Sequence, residues 1–194
     1  MVKSVSYNQT EILRLIIKLH TGPIEVDVTF GNGGFYKHIS HPKFCFDINP
    51  KFRFVVKATT EALPIRTMSV HNVVFDPPFL IKTGRGPVLK DRFGQITGGM
   101  EDLWGFYKRS LVELYRILKP GGWLVFKNQD GVLSGKNWFT HVEIYNIALA
   151  IGFIPIDLFI LATYNRFPLL ETQTQRHARK YHSYFWVFKK GESR

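Results

Sequence analysis

Three short stretches of the 194-residue chain hold side chains whose types and spacing could do chemistry. The first is Asp76-Pro77-Pro78-Phe79, at the exit of an apolar run. Successive prolines fix φ and lack N–H groups, so the chain must leave its strand in a stiff, extended turn. The Pro77 carbonyl then has no local helix or sheet to join. It is left to accept a hydrogen bond, as is the Asp76 carboxylate, and Phe79 adds a flat ring. Two acceptors beside an aromatic face make a receptor for a planar amine. Standing alone, the same residues also read as an ordinary Pro-Pro strand exit.

The second stretch is DVTFGNGGFY at 27–36. Gly31 and Gly33 let the backbone approach a bound molecule and take φ values closed to other residues. The stretch lies where a strand turns, and in open parallel sheets ligands bind beyond the carboxyl ends of the strands. The third is Asp47, at the end of the next strand, where an acid can hydrogen-bond ribose hydroxyls. Taken singly, the glycines read as a structural turn and Asp47 as a turn residue. Together they point to a ribose-bearing ligand. The chain has neither a full G-x-G-x-x-G nor a G-K-[ST] phosphate cradle.

The elements that must position these residues follow from periodicity. Asn8 followed by Glu11 can form a capping box, and Ile12, Leu15, Ile16 and Leu19 recur at helical spacing until Gly22-Pro23. Strands are expected over residues 24–30, 44–48, 52–58, 70–75, 123–127, 156–163 and 184–188. A second helix starts at Glu101, with Leu103, Tyr107, Leu111, Leu114 and Leu118 on one face and Pro120-Gly121-Gly122 as its stop. Trp138, Val142, Tyr145 and Leu149 mark a third, closed near Gly152. Residues 80–100, with five glycines and four basic residues, read as a long mobile loop of the functional kind. Alternating strands and helices predict an α/β fold, a mostly parallel sheet covered on both faces. No helix is evident over residues 164–183, so the last two strands should pair antiparallel.

Composition sets the limits. Hydrophobic residues make up 45% and charged residues 21%, which excludes disorder, collagen and coiled coil as the main state. The length fits a single domain over 1–194, at roughly 100–200 residues per domain. The lone Cys45 cannot form an internal disulfide, which suits a reducing, cytoplasmic location. No signal peptide is evident, and the apolar stretch at 147–156 falls short of the roughly 18 residues of a membrane span, so no membrane is expected. Against 15 Asp+Glu stand 26 Lys+Arg, a net charge of +11. That surplus suits a polyanion, because phosphate contacts release condensed counterions. Lys82, Arg85, Lys90 and Arg92 cluster in the 80–100 loop, and Arg176, Arg179, Lys180, Lys189 and Lys190 near the C-terminus.

The ordered set of motifs resembles the S-adenosylmethionine-dependent amino-methyltransferases of the DNA adenine-N6/cytosine-N4 type. Asp76-Pro77-Pro78-Phe79 matches their [DNS]-P-P-[YFW] motif, DVTFGNGGFY is similar to their cofactor motif, and Asp47 falls where their ribose-binding acid stands. SYNQTEILRLIIKL at 6–19 looks like the helix that touches the methionine part of the cofactor, and ILKPGGWLVFK at 117–127 and ARKYHSYFWVFKK at 178–190 are also similar. The resemblance implies a Rossmann-like class I methyltransferase fold: seven mostly parallel strands, the last antiparallel, with helices on both faces. It implies S-adenosylmethionine as cofactor, held by Tyr7, Asn8, Thr10, Asp27, Thr29, Phe30, Gly31, Gly33, Asp47, Ile48, Thr59 and Asp76. Asp76, Pro77, Pro78 and Phe79 become the catalytic residues. Lys82, Arg85, Lys90, Arg92, Arg179 and Lys180 become contacts to a nucleic-acid partner.

The implied reaction is methyl transfer to an exocyclic amino group of a nucleic-acid base, foremost adenine N6 in DNA. Alternatives are an RNA guanine-N2 or adenine-N6 methylase, and a catalytically silent cofactor-binding nucleic-acid module. Two departures stand out. Lys57-Ala58-Thr59-Thr60 occupies the place where many relatives carry an adenine-reading acid, which leaves that part to Thr59 or Thr60. No segment of about a hundred residues, the size of a further domain, is available for target recognition. A chain this small could widen its footprint as a homodimer. His38, His41 and Cys45 lack a fourth ligand and zinc spacing, so no metal is expected. Without a Pro-Cys motif, Cys45 is no nucleophile of the cytosine-C5 kind. His177 and His182 read as solvated or phosphate-facing, and Trp104 and Trp138 as helical core residues.

Overall fold

The computed structural model describes residues 2–79, 99–164 and 176–192. A two-residue strand, β1 (Val5–Ser6), leads into helix α1 (Gln9–Ile16). Asn8 caps the helix: its Oδ1 accepts from the N–H groups of Thr10 at 2.9 Å and Glu11 at 3.3 Å. Two of the donors that any helix start leaves orphaned are thereby satisfied. The reciprocal arm runs through a hydroxyl. Ser6 Oγ donates to the Glu11 carboxylate and accepts from the Asn8 N–H. Ile12, Leu13 and Ile16 are buried, but Leu19 is exposed. The helix continues as a wider π-type turn over Ile17–Thr21, which rotates the expected stripe away from the core.

The remaining strands are β2 (Val26–Asp27), β3 (Phe44–Asp47), β4 (Val55–Lys57), β5 (Val70–Phe75), β6 (Leu118–Asn128), the hairpin β7 (Gly131–Leu133) and β8 (Lys136–Trp138), β9 (Phe153–Ala162) and β10 (His182–Lys190). Helices α2 (Met100–Ile117) and α3 (Thr140–Ile151) connect them. The main sheet has the order β1-β9-β10-β6-β5-β2-β3-β4. Strand β10 runs antiparallel to β6 and β9, and the other pairings in this sheet are parallel. Among the described residues the sheet thus has eight strands, not seven, because Val5–Ser6 pairs with Ile160 and Leu161 at its edge.

Residues alternate across the two faces with the strand period of two. Val73, Phe75, Leu124 and Phe126 pack under Leu103, Tyr107, Leu111 and Leu114 of α2 and Ile144 and Ala148 of α3. Val74, Val125, Phe185 and Val187 face the other way, under Ile12, Leu13 and Ile16 of α1. The face expected for the third helix is corrected. Val142 and Leu149 are exposed, and Trp138 belongs to β8, where its ring meets Trp104 edge-on at 5.3 Å. That helix is apolar nearly all round, so periodicity cannot choose its buried side. Among the described residues, no helix is long and apolar enough to cross a membrane.

Pro120-Gly121-Gly122 does not end α2, which stops at Ile117; it lies within β6. Between the pairs Val70–Leu118 and Asn72–Trp123, β5 advances two residues and β6 five, so the extra residues bulge out of the ladder. Lys190, grouped in sequence with the basic cluster, is 4% exposed. Its ammonium donates to the carbonyls of Tyr115 at 2.6 Å and Leu118 at 2.8 Å, so it caps the carboxyl end of α2. A Cβ on Gly122 would sit 2.8 Å from the Lys119 carbonyl and 3.0 Å from that of His71. Neither backbone can yield without breaking the bulge. Gly122→Ala is expected to cost about 1–3 kcal/mol, read as a lower urea midpoint at unchanged slope.

Candidate active site

Three adjacent parallel strands end in acids. Asp27 closes β2, Asp47 closes β3 and Asp76 follows β5, and β2 lies between the other two. Asp27 is 2% exposed. The Tyr36 hydroxyl donates to its Oδ2 at 2.6 Å, and the Thr29 N–H to its Oδ1 at 2.7 Å. Burial pushes this carboxyl up to about 7; the two hydrogen bonds oppose the rise, and the charges of Asp76 and Asp47 add to it. Gly31 and Gly33 take φ of 57° and 70°, as the turn requires. The Gly31 N–H donates to Asp47 Oδ2 at 2.8 Å, and the Asn49 N–H to Asp47 Oδ1 at 2.8 Å. Asp47 therefore pins the glycine turn to β3 and keeps acceptor capacity on both oxygens.

Asp76 is held from several sides. Its N–H donates to Thr29 Oγ1 at 2.7 Å. Lys127, on β6, donates to its Oδ2 at 3.3 Å and to Gln9 Oε1 at 3.1 Å. Asp76 Oδ1 is buried and has no hydrogen-bond partner among the described residues. Burial raises the Asp76 carboxyl above its ordinary value, and the Lys127 charge holds it back. The following corner is fixed by the Tyr107 hydroxyl, which donates to the Pro78 carbonyl at 2.7 Å.

These groups wall a cleft of about 860 Å³. Of the residues expected to bind a cofactor, Asp27, Thr29, Phe30, Gly31, Asp47, Ile48, Thr59 and Asp76 lie on its wall, and so does Pro78. Gly33, Pro77 and Phe79 are not on the wall, and Pro77 is buried within the turn. Tyr7, Asn8 and Thr10 also stand off it. Tyr7 stacks on Tyr164 at 4.0 Å, Asn8 caps α1 and Thr10 lies in its first turn; Gln9 reaches the wall instead. Thr60 and Glu61 join Thr59, and Glu101, Asp102, Gly105, Phe106 and Arg109 of α2 close the opposite side. Glu61 is paired with Arg109.

Lys82, Arg85, Lys90 and Arg92 lie outside the described residues, as does the 80–100 loop except Gly99 and Met100, which begin α2. Arg179 stands 5.6 Å from the Tyr181 ring and Lys180 5.9 Å from that of Phe139. The residue that sequence reading missed is Lys127. It follows an apolar run, and nothing local ties it to Asp76. The link is the register: Phe75 pairs with Phe126, so the next residue on each strand is Asp76 and Lys127.

No group of three His, Cys, Asp or Glu side chains among the described residues could hold a metal ion. His41 packs among the rings of Phe30, Tyr36 and Phe54. Burial, with the charge of Asp27, pushes the Cys45 thiol up to about 11, so it is no thiolate near neutrality. His177 bonds Asn137 at 3.0 Å, and His182 bonds the Tyr184 hydroxyl at 2.8 Å.

No family model and no curated protein matches the chain. Solved structures do. A SAM-dependent methyltransferase from Methanosarcina mazei is similar over 92% of this chain and 98% of its own, at 13% identity and a TM-score of 0.52. The chain has the Rossmann-like class I methyltransferase fold. The [4+2]-cyclase SpnF shares it over 95% of this chain and 82% of its own, at 13% identity and a TM-score of 0.56. A candidate DNA modification methylase of Thermus thermophilus, complexed with S-adenosyl-L-methionine, is similar over 68% of this chain at 22% identity and a TM-score of 0.47. The match spans 52% of that protein, about half its length.

Asp27 generates a prediction with a definite sign. Its carboxyl stands near 7 in the fold against 3.8 ordinarily, so the folded state holds the extra proton between those values. Stability should therefore fall as pH rises from about 4 to about 7 and level off above, by up to about 4 kcal/mol from this group. Asp27→Asn should remove that part of the slope in urea unfolding measured across the same pH range. Equal slopes for both proteins would refute the assignment.

Proposed function

We propose that this protein transfers a methyl group from S-adenosylmethionine to an exocyclic amino group of a nucleic-acid base. Adenine N6 in DNA is the target favoured by the Asp form of the Asp76-Pro77-Pro78-Phe79 motif. The observation that carries this reading is Asp76 Oδ1, a buried carboxylate oxygen without a partner among the described residues, on a residue of the cleft wall. Leaving such an acceptor unpaired costs about 1–3 kcal/mol, and an incoming N–H recovers it.

The residues present fit the cofactor. The cleft volume lies within the roughly 300–1,000 Å³ of small-molecule sites. Asp47, with acceptor capacity left on both oxygens, suits ribose hydroxyls, and Ile48, Phe30 and Thr59 suit a flat base beside them. The wall carries Asp27, Asp47, Glu61, Asp76, Glu101 and Asp102 against Lys51, Arg109 and Lys127, an excess of acids that suits a ligand carrying positive charge. S-adenosylmethionine, when bound, supplies an electrophilic methyl group on a positively charged sulfur.

The chain's own residues prepare the amine. An aryl amine is a poor nucleophile because its lone pair is conjugated with the ring. Asp76 Oδ1, by accepting an N–H bond, favours the tetrahedral nitrogen on which that pair is free. As positive charge builds on the nitrogen, the same preorganised carboxylate stabilises it. Phe79 offers a ring face to the base and to that charge. Tyr107 keeps the corner stiff, so the acceptor stays in place. A base within a duplex must be flipped out to reach it. The net charge of +11 supports a polyanionic substrate, with Arg179 and Lys180 among its contacts.

The deciding experiment is transfer of tritium from labelled S-adenosylmethionine to unmethylated genomic DNA, tRNA and rRNA, followed by nucleoside analysis. Label in N6-methyladenine of DNA is expected. Label only in RNA guanine or adenine would replace the substrate class, and cofactor binding with no transfer to any of the three would make the chain a silent module. Asp76→Ala should lose transfer by about a hundredfold or more while cofactor affinity stays within about threefold. Asp47→Ala should do the opposite and weaken cofactor binding by about tenfold in calorimetry.

A further inference from the structure

We propose that Lys127 is a positioning residue for the amine-accepting carboxylate: its ammonium pins Asp76 Oδ2 and so turns Oδ1 toward the incoming N–H. What Oδ1 meets rests on the methyl-transfer reading above; the geometry of the pair does not. Asp76 and Lys127 are neighbours across the parallel β5–β6 pairing, and their side chains are 17% and 12% exposed. Among the described residues the ammonium has two oxygen acceptors, Asp76 Oδ2 and Gln9 Oε1. Around it stand the rings of Phe35, Phe185 and Phe79, with centroids at 4.9, 5.6 and 5.9 Å. Ring faces favour a cation at that place and disfavour its withdrawal.

The asymmetry of Asp76 carries the argument. In a structural ion pair buried in a wall, both carboxylate oxygens are normally satisfied. Here one oxygen is engaged and the other is buried without a partner among the described residues. Burial is what opposes a charged Asp76, and Lys127 is the group that offsets it. Asp27 on β2 and the hydroxyls of Tyr36 and Tyr107 respond to the Asp76 charge, which holds their own protons on more firmly. Asp47 on β3, Lys51, Glu61, and Glu101, Asp102 and Arg109 on α2 share the cleft wall. Without the ammonium, burial among acids drives a carboxylate to take up a proton. A protonated carboxyl is a weaker acceptor and carries no charge to set against a cationic nitrogen. Lys127 also reaches Phe79, so one side chain touches both the acceptor and the ring beside it.

The test titrates Asp76 directly in the full chain, by carbon NMR of protein labelled at the aspartate side-chain carboxyls, with Asp76→Asn to assign the resonance. In Lys127→Met the Asp76 titration should move to higher pH, and Lys127→Arg should restore it. Lys127→Gln gives the same sign should the methionine variant fail to fold. In parallel, transfer to unmethylated genomic DNA and to total RNA is followed against pH. Transfer by Lys127→Met should fall about tenfold or more below wild type at the acid end of the profile and approach wild type as pH rises. An unmoved Asp76 titration overturns the inference. So does a loss that is independent of pH and lies wholly in the dissociation constant for S-adenosylhomocysteine. A shifted titration in a protein whose wild type methylates no nucleic acid overturns the methyl-transfer reading instead, and leaves the ion pair standing.

Discussion

Carboxylates crowded at the end of a sheet are the constraint on which this structure depends. Parallel strands bring Asp27, Asp47 and Asp76 to one edge, and the potentials of these groups add. Such a site holds together only if each charge is met locally or given up. The chain uses a different solution for each acid. Asp47 accepts two backbone N–H groups, Asp27 is sealed under Tyr36 with a carboxyl that retains its proton up to about 7, and Asp76 faces an ammonium. Three residues of one type thereby acquire three distinct behaviours, as environments do when they separate the roles of paired acids.

The layers behind the cleft hold these solutions in place. Tyr107 stands among the core residues of α2 and bonds the Pro78 carbonyl, so the packing of that helix and the stiffness of the corner are one feature. Thr29 links the Asp27 carboxylate to the Asp76 N–H, so the glycine turn and the proline corner cannot move independently. Gln9 brings α1, which covers the opposite face, to the same ammonium. The wall of the cleft is therefore built from elements whose other sides form both halves of the core, which is how a site comes to rest on a rigid scaffold.

What could be read from the sequence was whatever is local. Proline chemistry, glycine turns and acids after apolar runs announce themselves within a few residues, and they mark Asp27, Gly31, Asp47, Asp76 and Pro78, which the cleft wall contains. What could not be read depends on register or on choices the pattern leaves open. Lys127 gains its meaning only from the strand beside it. Gln9 is one residue from two better-looking candidates, and only the turn of α1 selects it. The buried side of α3 is undetermined in a segment that is apolar nearly all round. Val5–Ser6 is too short to show any period, yet it adds the eighth strand. The bulge at Pro120-Gly121-Gly122 imitates a helix stop because the same residues serve both purposes.

Both borders of the main sheet are short. One is β1, two residues long, and the other is β4, three residues long and ending in Lys57. A free border exposes unpaired N–H and C=O groups that can template another chain, and brief strands carrying a cation blunt that tendency. The long strands β6 and β10, rich in aromatic and branched residues, lie inside the sheet, paired on both flanks, and β1 covers β9 at Ile160 and Leu161. The segments best suited to amyloid-like stacking are therefore kept from growing filaments for as long as the fold stays closed.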